Sequence, residues 1–267
     1  MKRIFRKEAM LAACLLLASL SASTIAIAQN QPASASSVHG VDFYGHPINE
    51  KDIYCPIGIE QILPGDYYAC EARAAFGRKK YPHSVYMLQE SAYWANKDAQ
   101  FVLGLTYFNG ETPDIPGNRP LGLAWLALAA ERKNKYYELQ YAAARARSTP
   151  EEIQQSVAIL QKLKQKYGDA VAAPRAIRYF NHAIELIDES AEQGGTTYLR
   201  GLAPVPMNSV LIAKRLHDEA DADFNTYQGT VSVGEPEWLK DKAQRVEDQQ
   251  KLDGAGNGNG TSGSTQH

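Results

Sequence analysis

Charge of one sign is scarcely in excess in this chain: 28 lysines and arginines face 30 aspartates and glutamates, a formal net charge of −2. That balance excludes the global basic field by which a protein holds nucleic acid or an anionic membrane. Cysteine is scarce as well, three in 267 residues, one of them near the N-terminus. Long apolar runs are missing after the first 28 residues, so no later stretch is apolar enough to cross a bilayer. Catalytic signatures are missing too. There is no Gly-x4-Gly-Lys-Ser/Thr, no His-Glu-x2-His, no Gly-x-Ser-x-Gly and no Ser-x2-Lys. The glycines near the C-terminus are low in complexity and follow no predicted strand, so they are not a dinucleotide loop. The reading is of a chain with no catalytic residues, no metal site and no cofactor.

What is present is 44% hydrophobic and 22% charged, enough apolar material for one or two packed domains. Lys2, Arg3, Arg6 and Lys7 precede an apolar run from Ala9 to Leu20, and Ala26-Ile27-Ala28 offers the small residues a signal peptidase needs. We therefore expect a cleaved signal peptide over 1–28, and a periplasmic or secreted protein. The alternative is a membrane anchor, opposed by the diluting Ser19, Ser21, Ser23 and Thr24. Leu11-Ala12-Ala13-Cys14 resembles a lipobox, but most of the apolar run follows Cys14, where a lipoprotein has it before. Cys55 and Cys70 then remain, and an isolated pair fifteen positions apart in an oxidising compartment predicts a disulfide. The alternative is two free thiols, one packed in a helix.

Residues 29–40 are small and polar and read as a flexible leader; 251–267 read as a disordered tail rich in Gly, Asn and Ser. Helical patterns fill the region between. Helices are expected over Asp66–Lys79, Pro82–Trp94, Lys97–Asn109, Pro120–Arg132 and Lys133–Arg147. Thr149, Pro150 and Glu152 predict a capping box for a helix that buries Ile153, Val157, Leu160 and Leu163 and ends at Tyr167-Gly168. Pro174–Ala191 and Asn208–Phe224 follow, with Ile177, Phe180, Ala183, Ile184 and Ile187 inward on the former. Thr197–Gly201 and Gly229–Val233 have strand character, but such a pair would be marginal alone.

Setting Ser91-Ala92 against Ala129-Ala130 gives an internal offset of 38 residues, at which KDAQFVLG from Lys97 faces KYYELQYA from Lys135. A helix-turn-helix unit of that period cannot bury its apolar stripe alone and must stack on neighbours. The residues Ala99, Leu103, Gly104, Tyr107 and Gly110, followed by Trp125 four places before Ala129-Ala130, resemble the two helices of a Sel1-like repeat, a relative of the tetratricopeptide repeat. The match covers about 90–134. It departs from the family at Met87, where Trp is expected, at Ala95 and Lys133, where the family has glycine, and at Tyr141-Ala142, where Leu-Gly is expected. The resemblance implies an all-α fold of stacked helix-turn-helix repeats over 41–148, a short α-solenoid. A more irregular C-terminal helical region follows over 149–250, beyond the resemblance.

It also implies a non-catalytic protein-protein interaction module whose partner is another protein. Fifteen tyrosines, with Tyr136, Tyr137 and Tyr141 on one predicted helix, suit an interface. A structural subunit of a secretion or pilus assembly would share these features. An alternative from another class is an envelope enzyme such as a cell-wall hydrolase using Glu185, Asp188 and Glu189, three acids that helical periodicity places too close together to span a substrate. His39, Asp42 and His46 form one histidine cluster and His217, Asp218, Glu219, Asp221 and Asp223 another. Helical spacing puts His217 and Asp221 on one face, a conceivable divalent site, yet such a run reads first as a solvated helix face. Arg78-Lys79-Lys80 reads as a helix end whose cations suit the dipole.

Overall fold

A computed structural model describes residues 40–41, 47–48, 53–202, 204–227 and 237–256. The expected signal peptide with Cys14, the leader up to residue 39, His39, Asp42, His46, the Gly229–Val233 segment and the tail beyond 256 lie outside the described residues. Nine α-helices are found among the described residues: α1 (Pro64–Gly77), α2 (Tyr81–Tyr93), α3 (Lys97–Asn109), α4 (Arg119–Ala129), α5 (Lys135–Ala146), α6 (Pro150–Tyr167), α7 (Asp169–Glu192), α8 (Ser209–Phe224) and α9 (Glu237–Gly256). The strands are two-residue pieces: β1 (Gly40–Val41) pairs antiparallel with β2 (Pro47–Ile48), and β3 (Thr196–Thr197) with β4 (Met207–Asn208). The fold is all-α.

Local chemistry sets the helix starts. Side chains of Asn96, Asn118, Asn134, Thr149 and Asn208 each accept a hydrogen bond from a first-turn backbone N–H, capping α3, α4, α5, α6 and α8. The Thr149–Glu152 capping box is formed in both directions. Pro174, expected in the first turn of its helix, instead lies inside α7, which begins five residues earlier at Asp169. The strand expected over Thr197–Gly201 is confined to Thr196–Thr197, and the chain turns after it. Residues 251–256, expected in a disordered tail, instead continue α9 to Gly256.

Helices pack as antiparallel neighbours, α1 on α2 and α3 on α4, with α2 on α3 joining the pairs; α6 then lies on α4, α7 on α6, α8 on α7 and α9 on α8. Small residues set the closest approaches. A Cβ on Gly104 of α3 would stand 2.6 Å from Leu126 Cγ, and one on Gly122 of α4 would stand 2.5 Å from the backbone nitrogen of Phe108. Ser84 stands 38 positions before Gly122 and serves the same purpose in the previous pair, donating to Ala72 O across the α1–α2 contact at 2.8 Å. The turns repeat with the helices. Ala95 and Lys133, the two positions where the Sel1 pattern has glycine, both take left-handed backbone, φ 67° and 55°. The capping Asn96 and Asn134 follow them at the same interval.

One apolar core fills the array, with Leu88, Leu103, Trp125 and Leu128 at its centre, and Phe101, Phe108, Leu123 and Leu126 extend it toward α5. On α6 the stripe against α4 runs Ile153, Ser156, Leu160, Leu163, Tyr167. Val157, expected inward, falls one position off that stripe and is 53% exposed. The α7–α8 hairpin has its own core of Ile177, Phe180, Ile184, Ile212 and Leu216. That core is shared with Ile59, Ile62 and Leu63 before and at the start of α1 and with Ala95 in the α2–α3 turn, so the hairpin is seated against one edge of the array. Leu239 and Ala243 of α9 close it from the far side.

Cys55 and Cys70 form a disulfide, with an S–S distance of 2.01 Å, tying the segment before α1 to the helix itself. Two outcomes follow. Gly122→Ala lowers stability by about 1–3 kcal/mol in urea denaturation through overpacking against α3, although alanine favours an isolated helix by roughly 1 kcal/mol. Cys70→Ser lowers it by about 3 kcal/mol, the chain-entropy value for a loop of this length, with wild-type protein in reductant showing the same loss.

Candidate functional site

The edge on which the hairpin sits gathers the ends of many elements. Asp66 comes from the first turn of α1, and Asn96, Lys97 and Asp98 from the start of α3. Glu131 and Arg132 come from the 3-10 turn after α4, Asn134 and Tyr137 from the start of α5, Asp169 from the start of α7, and Asp223 from the last turn of α8. Between them lies a polar cleft of about 220 Å³ walled by Asn96, Asp98, Asn134, Tyr137, Asp223 and Asn225. A second hollow of about 460 Å³ adjoins it past Arg132, against Asp169, Ala170, Thr226 and Tyr227.

Buried charge organises the floor. Lys97 Nζ is 3.0 Å from Asp169 Oδ1 and 3.4 Å from Glu131 Oε2, and donates to Leu128 O at 2.8 Å and to Gln100 Oε1 at 3.0 Å. Gln100 in turn donates to Tyr167 O at 2.9 Å. Arg132 grips the same carboxylate in bidentate fashion, Nε to Asp169 Oδ2 at 3.0 Å and Nη2 to Oδ1 at 3.1 Å. Its remaining N–H groups reach Ala95 O at 3.1 Å and the carbonyl of Asp223. Glu131 accepts from the Asp169 backbone N–H at 2.9 Å and pairs with Lys164 at 3.2 Å. Burial pulls the Lys97 ammonium below the usual lysine range, with Arg132 adding to the shift and Asp169 and Glu131 opposing it.

Asp66 and Asp223 form the other half of the site. Asn96 Nδ2 donates to Asp66 Oδ1 at 3.2 Å. Burial raises Asp66 to about 6, with Glu219 and Asp98 adding to it and the bonds from Asp223 and Asn96 opposing it. Asp223 is raised well above the carboxylate range by burial and then by Asp66, against the opposing pull of Arg132.

The residues singled out in the sequence are distributed as follows. Ala99, Leu103, Trp125 and Ala129 are buried between helices, Tyr107 is half-buried against the same core, Gly104 makes the close crossing, Gly110 ends α3 in left-handed backbone, and Ala130 opens the 3-10 turn. Of the three tyrosines of α5, Tyr136 is half exposed with its ring edge on Phe101. Tyr137 faces the cleft and donates its hydroxyl to Asp98, and Tyr141 packs against Phe101 and Leu126. Of the three, Tyr136 is the exposed one.

The acids of the hydrolase alternative are engaged apart from the cleft. Asp188 meets His217 Nε2 at 3.0 Å, Glu185 pairs with His182 at 3.6 Å, and Glu189 accepts from Gln193 at 3.4 Å. His217 is buried in the α7–α8 seam, edge-on to Phe180, while Asp221, one turn further along α8, is exposed. Asp218 and Glu219 pair along the helix with Lys214 and Arg215, both at i,i+4 spacing. No group of three or more His, Cys, Asp or Glu able to hold a metal ion exists among the described residues. Arg78, Lys79 and Lys80 lie exposed at the end of α1, as a helix end favours. Sequence reasoning missed Asp66, Lys97, Arg132 and Asp169 altogether. The one available cue was Lys97 itself, a cation at a helix start where the dipole disfavours it.

No protein-family model, curated protein or solved structure matches the chain.

Removing the shared anion tests the floor of the site. Asp169→Asn leaves Lys97 and Arg132 without their common partner, and a loss of about 3–5 kcal/mol is expected in denaturation. Asp218→Asn, at an exposed helix pair, costs less than about 0.5 kcal/mol.

Proposed function

We propose that this chain is a non-catalytic, Sel1-like protein-interaction module that works in the periplasm or outside the cell. The observation that carries the reading is the recurrence at 38 residues, in which a left-handed turn residue, an asparagine cap and a small-residue crossing return together. Arrays of this kind expose a continuous surface built from successive units, the usual basis of their binding. The disulfide supports an oxidising compartment. Among the described residues no helix is long and apolar enough to cross a membrane.

The partner surface in this reading lies along α5, where Tyr136 (51% exposed) and Leu139 (69% exposed) stand beside the polar cleft. Apolar anchors next to hydrogen-bonding groups are the usual make-up of an interface centre and rim. The enzymatic alternative gains no support from its proposed acids, each already paired.

The test is capture from envelope extracts followed by measurement with the purified partner. Wild-type protein is expected to retain a protein that Tyr136→Ala and Leu139→Ala bind about tenfold or more weakly, as loss of a hot-spot side chain does, with unchanged circular dichroism. Equal binding by all three, or turnover of a captured cell-wall fragment, overturns the proposal.

A further inference from the structure

We propose that the outward face of α5 is a seat for an amphipathic helix of a partner protein, acidic along its flanks and aromatic in its first turn, which continues the array where the chain itself does not. The inference rests on the interaction reading and names the chemistry of what binds there.

Helical spacing places Tyr136, Leu139, Ala143 and Ala146 along one side of α5, and all four are exposed. Tyr137, Tyr141 and Ala144, on the other side, pack on the core. The helix is thus apolar on two sides and covered on one. The last unit of a helical array normally turns a polar face to water. The stripe is left bare because of α6. In the two earlier pairs the second helix lies on the first, α2 on α1 and α4 on α3, whereas α6 lies on α4 and α7, and α5 takes its helix packing from α4.

The 38-residue interval indicates what fits the stripe. Leu139 stands 38 positions after Phe101, and Ala146 stands 38 after Phe108. Phe101 and Phe108 are buried, and the ring of Phe101 is covered by Tyr136 and Tyr137 of the next helix in the array, at centroid distances of 5.4 and 5.2 Å. Leu139, at the same place one unit on, is 69% exposed. Its cover in the repeat's own geometry is a further helix with aromatic rings in its first turn. Ala143 and Ala146 leave that helix room to approach closely.

Charge selects among occupants. From Lys133 to Arg147 the exposed charges are Lys133, Lys135, Arg145 and Arg147 against the one acid Glu138. Asp98 of the cleft is met from α5 by Tyr137, which lies outside the stripe. A second copy of this chain fits poorly. Laying the stripe on itself in antiparallel fashion sets Leu139 on Ala143 and Tyr136 on Ala146, but it also brings Lys135 to Arg147, two like charges. A helix with aspartates or glutamates beside its apolar face answers the same cations favourably.

Two synthetic peptides test this against the purified full chain by fluorescence anisotropy. One has the sequence of residues 134–147, which supplies the shape; the other carries Lys135→Glu, Arg145→Glu and Arg147→Glu, which supplies the charge. The acidic peptide is expected to bind about tenfold or more tightly than the unaltered one at low salt, the gap closing as salt screens the charges. In the protein, Leu139→Lys and Ala143→Lys each add a positive charge, so attraction of charge alone predicts tighter binding. Binding of the acidic peptide is instead expected to weaken about tenfold or more, with unchanged circular dichroism at these exposed positions, while Val171→Lys on α7 leaves it as it was. No binding of the acidic peptide, equal binding of both peptides, or binding indifferent to both α5 substitutions overturns the helix seat. So does sedimentation velocity that shows a dimer abolished by Leu139→Lys, which gives the face to a second copy. The interaction reading is judged by its own capture experiment, so a Leu139-dependent partner together with an inert acidic peptide sinks the helix and spares that reading.

Discussion

The carboxylate of Asp169 is the point on which the arrangement of this molecule turns. It sits at the first residue of α7 and is held at once by Lys97 of α3 and Arg132 of the turn after α4, with Glu131 bonding the backbone beneath it. One anion thereby fixes where the array ends and where the C-terminal hairpin begins. Its location at a helix N-terminus favours the negative charge, and its two cations meet on one oxygen, Oδ1, while Arg132 also holds Oδ2. Burying such a set costs desolvation that an apolar seam would avoid. What it provides is direction: an apolar seam between the hairpin and the turns would tolerate sliding, whereas Arg132 reaching Asp169, Ala95 O and Asp223 O admits one seating.

Helix boundaries were legible where local chemistry was complete. Lys97–Asn109 was read to the residue because Asn96 caps its start, Gly110 ends it and a proline-rich connection follows. The Thr149 capping box was equally plain. Legibility failed where tertiary contacts set the outcome. Pro174 looked like a helix start, yet the Asp169 cluster anchors α7 earlier and the helix tolerates the missing N–H. The polar α9 offered few apolar positions to a periodicity search; it is held by Leu239 and Ala243 against the hairpin core and by Lys242, which reaches the carbonyls of Ala191 and Glu192 at the end of α7. Val157 was assigned inward because it is apolar, while the buried position belongs to Ser156, whose hydroxyl is satisfied by Ile153 O at 2.7 Å.

The candidate site was barely legible for a related reason. Its members are separated by up to 157 positions, from Asp66 to Asp223, and none belongs to a motif of fixed spacing. Individually each reads as a surface charge. Only the meeting of α1, α3, α5, α7 and α8 at one edge converts them into a buried network, and that meeting is a property of the stacking angle, not of any local pattern.

The two halves of the site are coupled through one side chain. Arg132 holds the Asp169 carboxylate with Nε and Nη2, and its N–H groups also reach Ala95 O and the carbonyl of Asp223. The network that sets the hairpin's seat therefore reaches the turn between α2 and α3, the start of α7 and the end of α8 through one guanidinium. A substitution that shortens this side chain therefore loosens three segments together, where loss of any one acceptor loosens only one.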